Sequence, residues 1–247
     1  MEISKFILLT THRSGTNLLL TSLGGNSPIK CHKRVFVLRV IFERFAFDRP
    51  GSPFYQYRTA SLQRRFDYMF RPKQLINNFM TELYIPTNGV QAIGLRLIYD
   101  QADKYPQVLE WAVANKVSII HLIRENSLKA IVYEKIPPSH STSKTESMII
   151  QLHPLKLKME LVKLLNQIEK YRGLLKDTRY LEVTYESLVA NREPEIYRIL
   201  DFLQVNRFAP SITIPGEPNP NSLEDIIENY DQVKQTLSHT ALEKYLD

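Results

Sequence analysis

Short apolar runs alternate along this chain with longer segments in which apolar residues recur at helical spacing. A continuous apolar run is typical of a strand buried in a parallel sheet. Such runs predict strands from Lys5 and over 92–97, 117–123 and 179–184, with a shorter one over 29–32. Helical spacing predicts helices over 17–23, 35–47, 107–115, 154–176 and 193–203, and across 59–84 with a break at Pro72. The alternation predicts one α/β domain over 1–247, with a mostly parallel central sheet flanked by helices in three layers.

The composition fits a folded domain. Of the 247 residues, 43% are hydrophobic and 23% are charged, which is enough apolar material for one substantial core. The single cysteine, Cys31, excludes an internal disulfide framework and fits a reducing compartment. No secretory leader pattern is present, and no run reaches the roughly 18 apolar residues that a membrane span needs. These features predict a soluble cytoplasmic protein.

Positive charge is concentrated in the first third of the chain. The formal net charge is +6, but residues 1–73 carry 13 Lys/Arg against 4 Asp/Glu, whereas residues 216–247 carry 2 against 7. An excess of +9 near the front favours an anionic ligand there, and a nucleotide with several phosphate charges would fit. A solvated basic face is the other interpretation, and the charge count does not decide between them.

A small polar loop follows the first predicted strand and contains Arg13, Ser14, Gly15, Thr16 and Asn17. The backbone N–H groups at the start of a helix can bind an anion, and a glycine lets the backbone curl around it. The arginine adds a fixed charge with a planar fork of donors, and the polar side chains are expected to donate hydrogen bonds and to cap the helix. The spacing is not that of a Walker motif, so ATP is not the default ligand. An ordinary strand–turn–helix connection with a serine cap is the alternative.

The segment 11–17 resembles the 5′-phosphosulfate loop of bacterial-type sulfotransferases that use 3′-phosphoadenosine 5′-phosphosulfate (PAPS), with Arg13 in the family's Lys/Arg position. The resemblance implies a P-loop-like fold and the transfer of a sulfuryl group from PAPS to a hydroxyl or amine. The acceptor would be a small molecule, a lipid such as a glycolipid, or a carbohydrate. The resemblance implies no metal. It gives Arg13 a catalytic role and makes 13–17 part of the cofactor site.

Three further segments resemble the same family in the same order. Arg124 ends a Leu-x-Arg strand whose Arg binds the cofactor's 3′-phosphate in the family, and Tyr133 stands where the family's second phosphate ligand, a serine, can fall. We expect the Tyr133 hydroxyl to donate in its place. Arg96 takes the position of a family lysine, and Glu186 matches a glutamate that is mainly structural. The matching segments are 92–101, 119–133 and 180–188.

The general base has no direct counterpart. The family's Cys-His-Gly-Glu-like segment is here 31–34, and Arg34 replaces its catalytic glutamate. His32 is one candidate, because an imidazole titrates near neutrality, and Glu43 from the next predicted helix is another. The alternative for His32 is a surface histidine beside two cations.

Other features of the sequence fit more than one interpretation. Segment 135–147 has the composition of a mobile lid, and 214–216 lacks a lysine that touches the cofactor in the family. The protein could be a catalytically degenerate member that binds a nucleotide or a sulfated ligand. The basic stretch 30–73 could bind nucleic acid, although no recognised module supports this and we expect none. A homodimer is left open. Six aromatic residues either line an acceptor cleft or, as we expect, join the core: Phe54, Tyr55, Tyr57, Phe66, Tyr68 and Phe70.

Overall fold

A computed structural model describes residues 3–24, 28–41, 45–86, 88–136, 149–209 and 222–246. Its strands are β1 (Ser4–Thr10), β2 (Ile29–His32), β3 (Leu38–Ile41), β4 (Phe45–Asp48), β5 (Ala92–Ile98), β6 (Ser118–Ile123) and β7 (Tyr180–Thr184). Its helices are α1 (Thr16–Ser22), α2 (Pro53–Thr59), α3 (Leu62–Phe70), α4 (Pro72–Leu83), α5 (Tyr99–Lys104), α6 (Pro106–Ala114), α7 (Ser127–Lys135), α8 (Pro154–Leu175), α9 (Tyr185–Ala190), α10 (Arg192–Leu203), α11 (Leu223–Ile226) and α12 (Tyr230–Leu237), with a 3-10 turn at Glu243–Tyr245.

Five parallel strands form the central sheet in the order β2-β5-β1-β6-β7. β1 lies in the middle, where Leu8 is opposite Arg96 on β5 and Ile120 on β6. Because all five strands run in the same direction, their carboxyl ends meet at one edge, and ligands bind at that edge in open α/β sheets. The predicted α/β fold with a parallel sheet is therefore confirmed.

Apolar layers cover both faces of the sheet. Ile7 and Leu9 pack on one face with residues of α4, α6 and α8, whereas Phe6 and Leu8 pack on the other with residues of α1 and α10. The Phe6 ring lies directly on Gly94 of β5, where a Cβ atom would come within 2.5 Å of three ring carbons. Helices on both faces explain why the strand sequences are apolar without alternation. No helix among the described residues is long and apolar enough to cross a bilayer.

The prediction of a helix over 35–47 is wrong. The segment contains β3 and β4, an antiparallel pair outside the main sheet in which Leu38 is opposite Asp48. The segment is rich in Val, Ile and Phe, which favour extended backbone, and this preference prevailed over the apparent helical spacing. The break at Pro72 is confirmed, because α3 ends at Phe70 and α4 begins at Pro72.

The aromatic residues between 54 and 70 differ in burial, and Tyr55, Tyr57 and Tyr68 are half-buried. Phe54 is fully buried among Phe36, Phe79 and Tyr105, with ring centroids 4.8–5.2 Å apart, as expected of a core residue. Phe66 and Phe70, in contrast, are 48% and 62% exposed, so the expectation that they join the core is wrong. Helical spacing identified an apolar face on this segment but not the direction in which it points.

A network of hydrogen-bonded polar side chains connects strands of the sheet to the helices that pack beside them. His121 in the middle of β6 is fully buried, with Nε2 2.5 Å from the Tyr99 hydroxyl and Nδ1 2.7 Å from the Tyr180 hydroxyl. Tyr180 donates to Glu182, and Glu182 accepts two hydrogen bonds, of 2.8 and 2.7 Å, from Arg172 of α8. Burial lowers the pKa of His121 below its ordinary value, which favours the neutral imidazole. The network joins α5, β6, β7 and α8.

Candidate functional site

The loop between β1 and α1 has an unusual backbone. Arg13 and Gly15 both adopt left-handed conformations, with φ of +54° and +88°. This conformation costs a residue other than glycine about 1–3 kcal/mol, and residues that hold it cluster at ligand sites. Within the described part of the chain, the backbone N–H groups of Gly15, Thr16 and Asn17 donate no hydrogen bond. The loop therefore presents free donors at the carboxyl edge of the sheet, next to the exposed Arg13.

The hydroxyl of Ser14 anchors the loop instead of capping the helix. Ser14 is fully buried, and its Oγ contacts the Thr10 hydroxyl and donates to the Thr11 carbonyl at 3.0 Å. Thr10 in turn donates to the Leu122 carbonyl of β6 at 2.9 Å. The N-cap of α1 is Gly15, with no side-chain hydrogen bond, so the predicted polar cap is wrong. These bonds fix the loop to β1 and β6.

Tyr185, at the start of α9, connects the loop to Arg124. A Cβ atom on Gly15 would lie 2.4 Å from Cδ2 of the Tyr185 ring. The Arg124 guanidinium, in a side chain only 6% exposed, lies 4.4 Å from the Tyr185 ring centroid and 4.8 Å from that of Tyr133. The structure thus brings the loop together with Arg124 and Tyr133. Sequence reasoning missed Tyr185 as a site residue, although it lies in the segment 180–188 that resembled the family.

Replacing Gly15 with alanine is expected to destabilise the protein by about 1–3 kcal/mol, because the methyl group would clash with Tyr185 and the residue would keep a positive φ. Thermal unfolding measures the effect. Gly173→Ala is the matched control, since nothing lies within 4 Å of its Cβ position on α8 and alanine favours a helix. An unchanged melting temperature for the Gly15 variant would contradict the described contact with Tyr185.

The turn that follows Arg124 is held by carboxylate and amide side chains. Glu186 accepts hydrogen bonds from the backbone N–H groups of Glu125 at 2.9 Å and Asn126 at 3.3 Å. The Asn126 side chain caps α7 by accepting from the Lys129 N–H at 2.9 Å. These contacts agree with the structural role expected for Glu186. They hold in place the backbone from which Arg124 projects.

A cleft of ≈ 780 Å³ lies beside Arg124 and Tyr185. This volume is within the range of about 300–1,000 Å³ that is typical of small-molecule sites. Its charged lining residues are Arg124, Lys129, Arg172 and Lys244 together with Glu125, Glu169 and Glu186. A smaller cleft of ≈ 350 Å³ is lined by Thr11 and His12 among others, and there the His12 Nε2 lies 3.8 Å from a Glu134 carboxylate oxygen. Sequence reasoning did not single out His12.

Of the two predicted base candidates, His32 lies on β2 and Glu43 lies outside the described residues. His32 ends β2, two strands from β1, and burial followed by the charge of Lys30 lowers the pKa of its imidazole. Its Nε2 is buried and has no hydrogen-bond partner among the described residues. Glu43, residues 137–147 of the predicted lid 135–147, and segment 214–216 lie outside the described residues.

β2 and β5 also bring Cys31 close to Arg96. Burial raises the pKa of the Cys31 thiol to about 12, so the thiol stays protonated at neutral pH. Burial lowers the pKa of the half-buried Arg96, and the charge of Arg34 lowers it further. The Arg96 Nε is buried and donates no hydrogen bond to any described residue. Arg96 thus has donor capacity that the described protein groups do not use.

No family model matches the chain, and no curated protein matches it. Solved structures that match include sulfotransferases, and the loop segment resembles that family. The mouse sulfotransferase SULT7A1 complexed with PAP is 14% identical with a TM-score of 0.43, and the match covers 84% of this chain and 61% of that one. A sulfotransferase from Alicyclobacillus acidocaldarius is 16% identical with a TM-score of 0.47, covering 100% and 96%. A sulfotransferase domain of the Synechococcus PCC 7002 olefin synthase is 15% identical with a TM-score of 0.45, covering 84% and 74%.

The chain therefore spans about three fifths of the mouse protein. The fold of the chain is established by its own parallel sheet and flanking helices.

Proposed function

We propose that the protein transfers a sulfuryl group from PAPS to a hydroxyl or amine of a small-molecule, lipid or carbohydrate acceptor. The observation that carries the proposal is the loop after β1. It places Arg13 beside the free N–H groups of Gly15, Thr16 and Asn17, and Tyr185 connects it to the buried Arg124. An anion with two separate phosphate groups matches two arginines held at one edge of a sheet.

The loop would act on the phosphosulfate end of the co-substrate. The free N–H groups bind its oxygens, and the acceptor oxygen or nitrogen attacks the sulfur as the bond from sulfur to the 5′-phosphate oxygen breaks. Arg13 stabilises the negative charge that develops on that leaving oxygen. Positioning and electrostatic stabilisation supply the rate enhancement, as in phosphoryl transfer, and the proposal needs no metal.

Arg124 would bind the 3′-phosphate at the edge of the 780 Å³ cleft. Its guanidinium is already positioned between the Tyr133 and Tyr185 rings, so little side-chain freedom is lost when an anion binds. The Tyr133 hydroxyl would donate one neutral hydrogen bond, worth about 1 kcal/mol. Arg96 offers a further cation to the sulfuryl group or the acceptor.

His32 is the proposed proton acceptor, with Glu43 as the second candidate. Burial lowers the pKa of His32, so the imidazole is neutral at physiological pH and can take the proton that leaves the acceptor hydroxyl. Arg34 in place of the family's glutamate favours a second function, in which the chain binds the nucleotide without catalysis.

Thermal unfolding with 3′-phosphoadenosine 5′-phosphate, and with ATP as the control ligand, tests the proposal. At 100 times its dissociation constant the nucleotide adds about 2.7 kcal/mol of stability, and we expect the melting temperature to rise by about 5–10 °C. A rise with this nucleotide and turnover across an acceptor panel support the enzyme. A rise without turnover supports the binding protein, and no rise with the 3′-phosphorylated nucleotide contradicts both.

A further inference from the structure

Helix α3 exposes its large apolar residues instead of burying them. None of its nine residues is buried. Four large apolar side chains are exposed to solvent: Leu62 by 82%, Phe66 by 48%, Met69 by 72% and Phe70 by 62%. The Phe66 and Phe70 rings contact each other in a tilted arrangement, with centroids 4.6 Å apart. Single exposed apolar residues are common on proteins, but four on one short helix form a patch that indicates an interaction.

The four residues form one stripe, and the opposite side of the helix is the side that packs on the protein. Their positions i, i+4, i+7 and i+8 place them on a single face. Arg64 points the other way, where its guanidinium lies 3.7 Å from the Tyr57 ring centroid and 3.3 Å from Glu82. Tyr68 also faces inward, 6.3 Å from the buried Phe54 ring. α3 therefore has the reverse of the usual arrangement, in which the apolar face packs on the core. Packing against the residues that the structure describes does not explain the stripe.

Cations border the stripe. Segment 58–73 carries five Lys/Arg and one Asp. On the helix surface Arg65 lies next to Leu62 and Met69, and Arg71 follows Phe70 directly. No carboxylate among the described residues forms an ion pair with Arg65 or Arg71, whereas Arg58, Arg64 and Lys73 are paired with Asp48, Glu82 and Glu110. The exposed face thus combines an apolar centre with unpaired positive charge.

We propose that α3 binds the surface of a bilayer that contains acidic phospholipids. An apolar stripe flanked by arginines is suited to lie in the interface plane, with Leu, Phe and Met at the acyl boundary and the cations at anionic headgroups. A second copy of the chain fits less well, because a stable dimer interface takes about 20–30 residues from each partner and α3 supplies only four. Nucleic acid would use the cations but not the Leu and Met side chains. This inference is independent of the proposed sulfuryl transfer.

Flotation of the full chain with lipid vesicles tests the proposal. One set of vesicles is phosphatidylcholine alone, and the other contains about one third phosphatidylglycerol. The variant Leu62→Gln with Met69→Gln removes apolar surface, and Arg65→Gln with Arg71→Gln removes the flanking charge. The matched control is Met159→Gln with Leu174→Gln on α8. Those side chains are 72% and 60% exposed, so the control removes similar apolar groups from a different surface.

We expect the wild-type chain to float with the phosphatidylglycerol vesicles and to bind phosphatidylcholine more weakly. The apolar variant should lower the partition coefficient at least tenfold, and the charge variant about fivefold for each cation removed, whereas the control should match the wild type. The altered residues are exposed, so the melting temperature should stay unchanged. Three results would each overturn the proposal: no flotation of the wild-type chain, an equal loss in the α8 control, or a lipid-free dimer that the apolar variant dissociates.

Discussion

Replacing Arg13 with alanine is expected to lower turnover with PAPS by about 10²–10³-fold, the cost of removing one donor that stabilises developing charge. Arg13 is the only arginine in the loop segment 11–17. Its backbone adopts a left-handed conformation that costs energy to maintain. Its charge acts mainly where negative charge develops on the leaving oxygen, so kcat should fall more than the affinity for the desulfated nucleotide. Product formation at saturating co-substrate, together with thermal shifts by 3′-phosphoadenosine 5′-phosphate, separates the two effects.

Two further variants make the Arg13 test specific. Arg13→Lys keeps the charge but loses the planar fork, so its turnover should lie between that of the wild type and that of the alanine variant. Lys176→Ala removes an exposed cation at the end of α8 and should leave turnover unchanged. Wild-type turnover in the alanine variant would rule out the catalytic role, even if the nucleotide still bound.

The central strands could be predicted because their environment leaves a local signal. β1 and β6 are covered on both faces, so almost every position is apolar and the run is visible in the sequence. Segment 35–47 lacks such a signal, because Val, Ile and Phe are compatible both with the apolar face of a helix and with a strand. The apolar residues of this segment recur at helical spacing only by chance. Because Val, Ile and Phe favour extended backbone, the segment forms β3 and β4.

The candidate site could be predicted only where its residues are close in sequence. Arg13, Gly15 and their neighbours form one loop, so their combination of residue types is visible in a short segment. The contact between Gly15 and Tyr185 joins positions 170 residues apart and depends on how β1 and β7 are ordered in the sheet. The burial of Ser14 has a similar cause, because its hydroxyl contacts that of Thr10, which donates a hydrogen bond to the Leu122 carbonyl of β6.

Replacing Glu182 with alanine is expected to destabilise the protein by about 3 kcal/mol. The carboxylate accepts two hydrogen bonds from Arg172 and one from Tyr180, and each bond to a charged group contributes about 1.5–3 kcal/mol before partial exposure weakens it. For a domain of this size, the loss corresponds to a melting temperature lower by about 6–12 °C. Glu169→Ala is the control, because Glu169 also pairs with Arg172 but is 68% exposed and should contribute less than about 1 kcal/mol.

The difference in stability between the wild type and Glu182→Ala should depend on pH, and that dependence identifies its electrostatic origin. The His121 imidazole, the Arg172 guanidinium and the Tyr180 hydroxyl lower the pKa of Glu182 below its ordinary 4.5. The unfolded chain therefore takes up a proton at a higher pH than the folded chain does. The carboxylate's contribution is complete about one pH unit above the ordinary value and is lost progressively as the pH falls below it. Thermal unfolding between pH 3 and 8 should show a constant difference between wild type and Glu182→Ala above about pH 5.5 and a narrowing one below 4.5. A difference that stays constant down to pH 3 would mean that Glu182 stabilises the sheet through packing, because only the ionised form is held by Arg172.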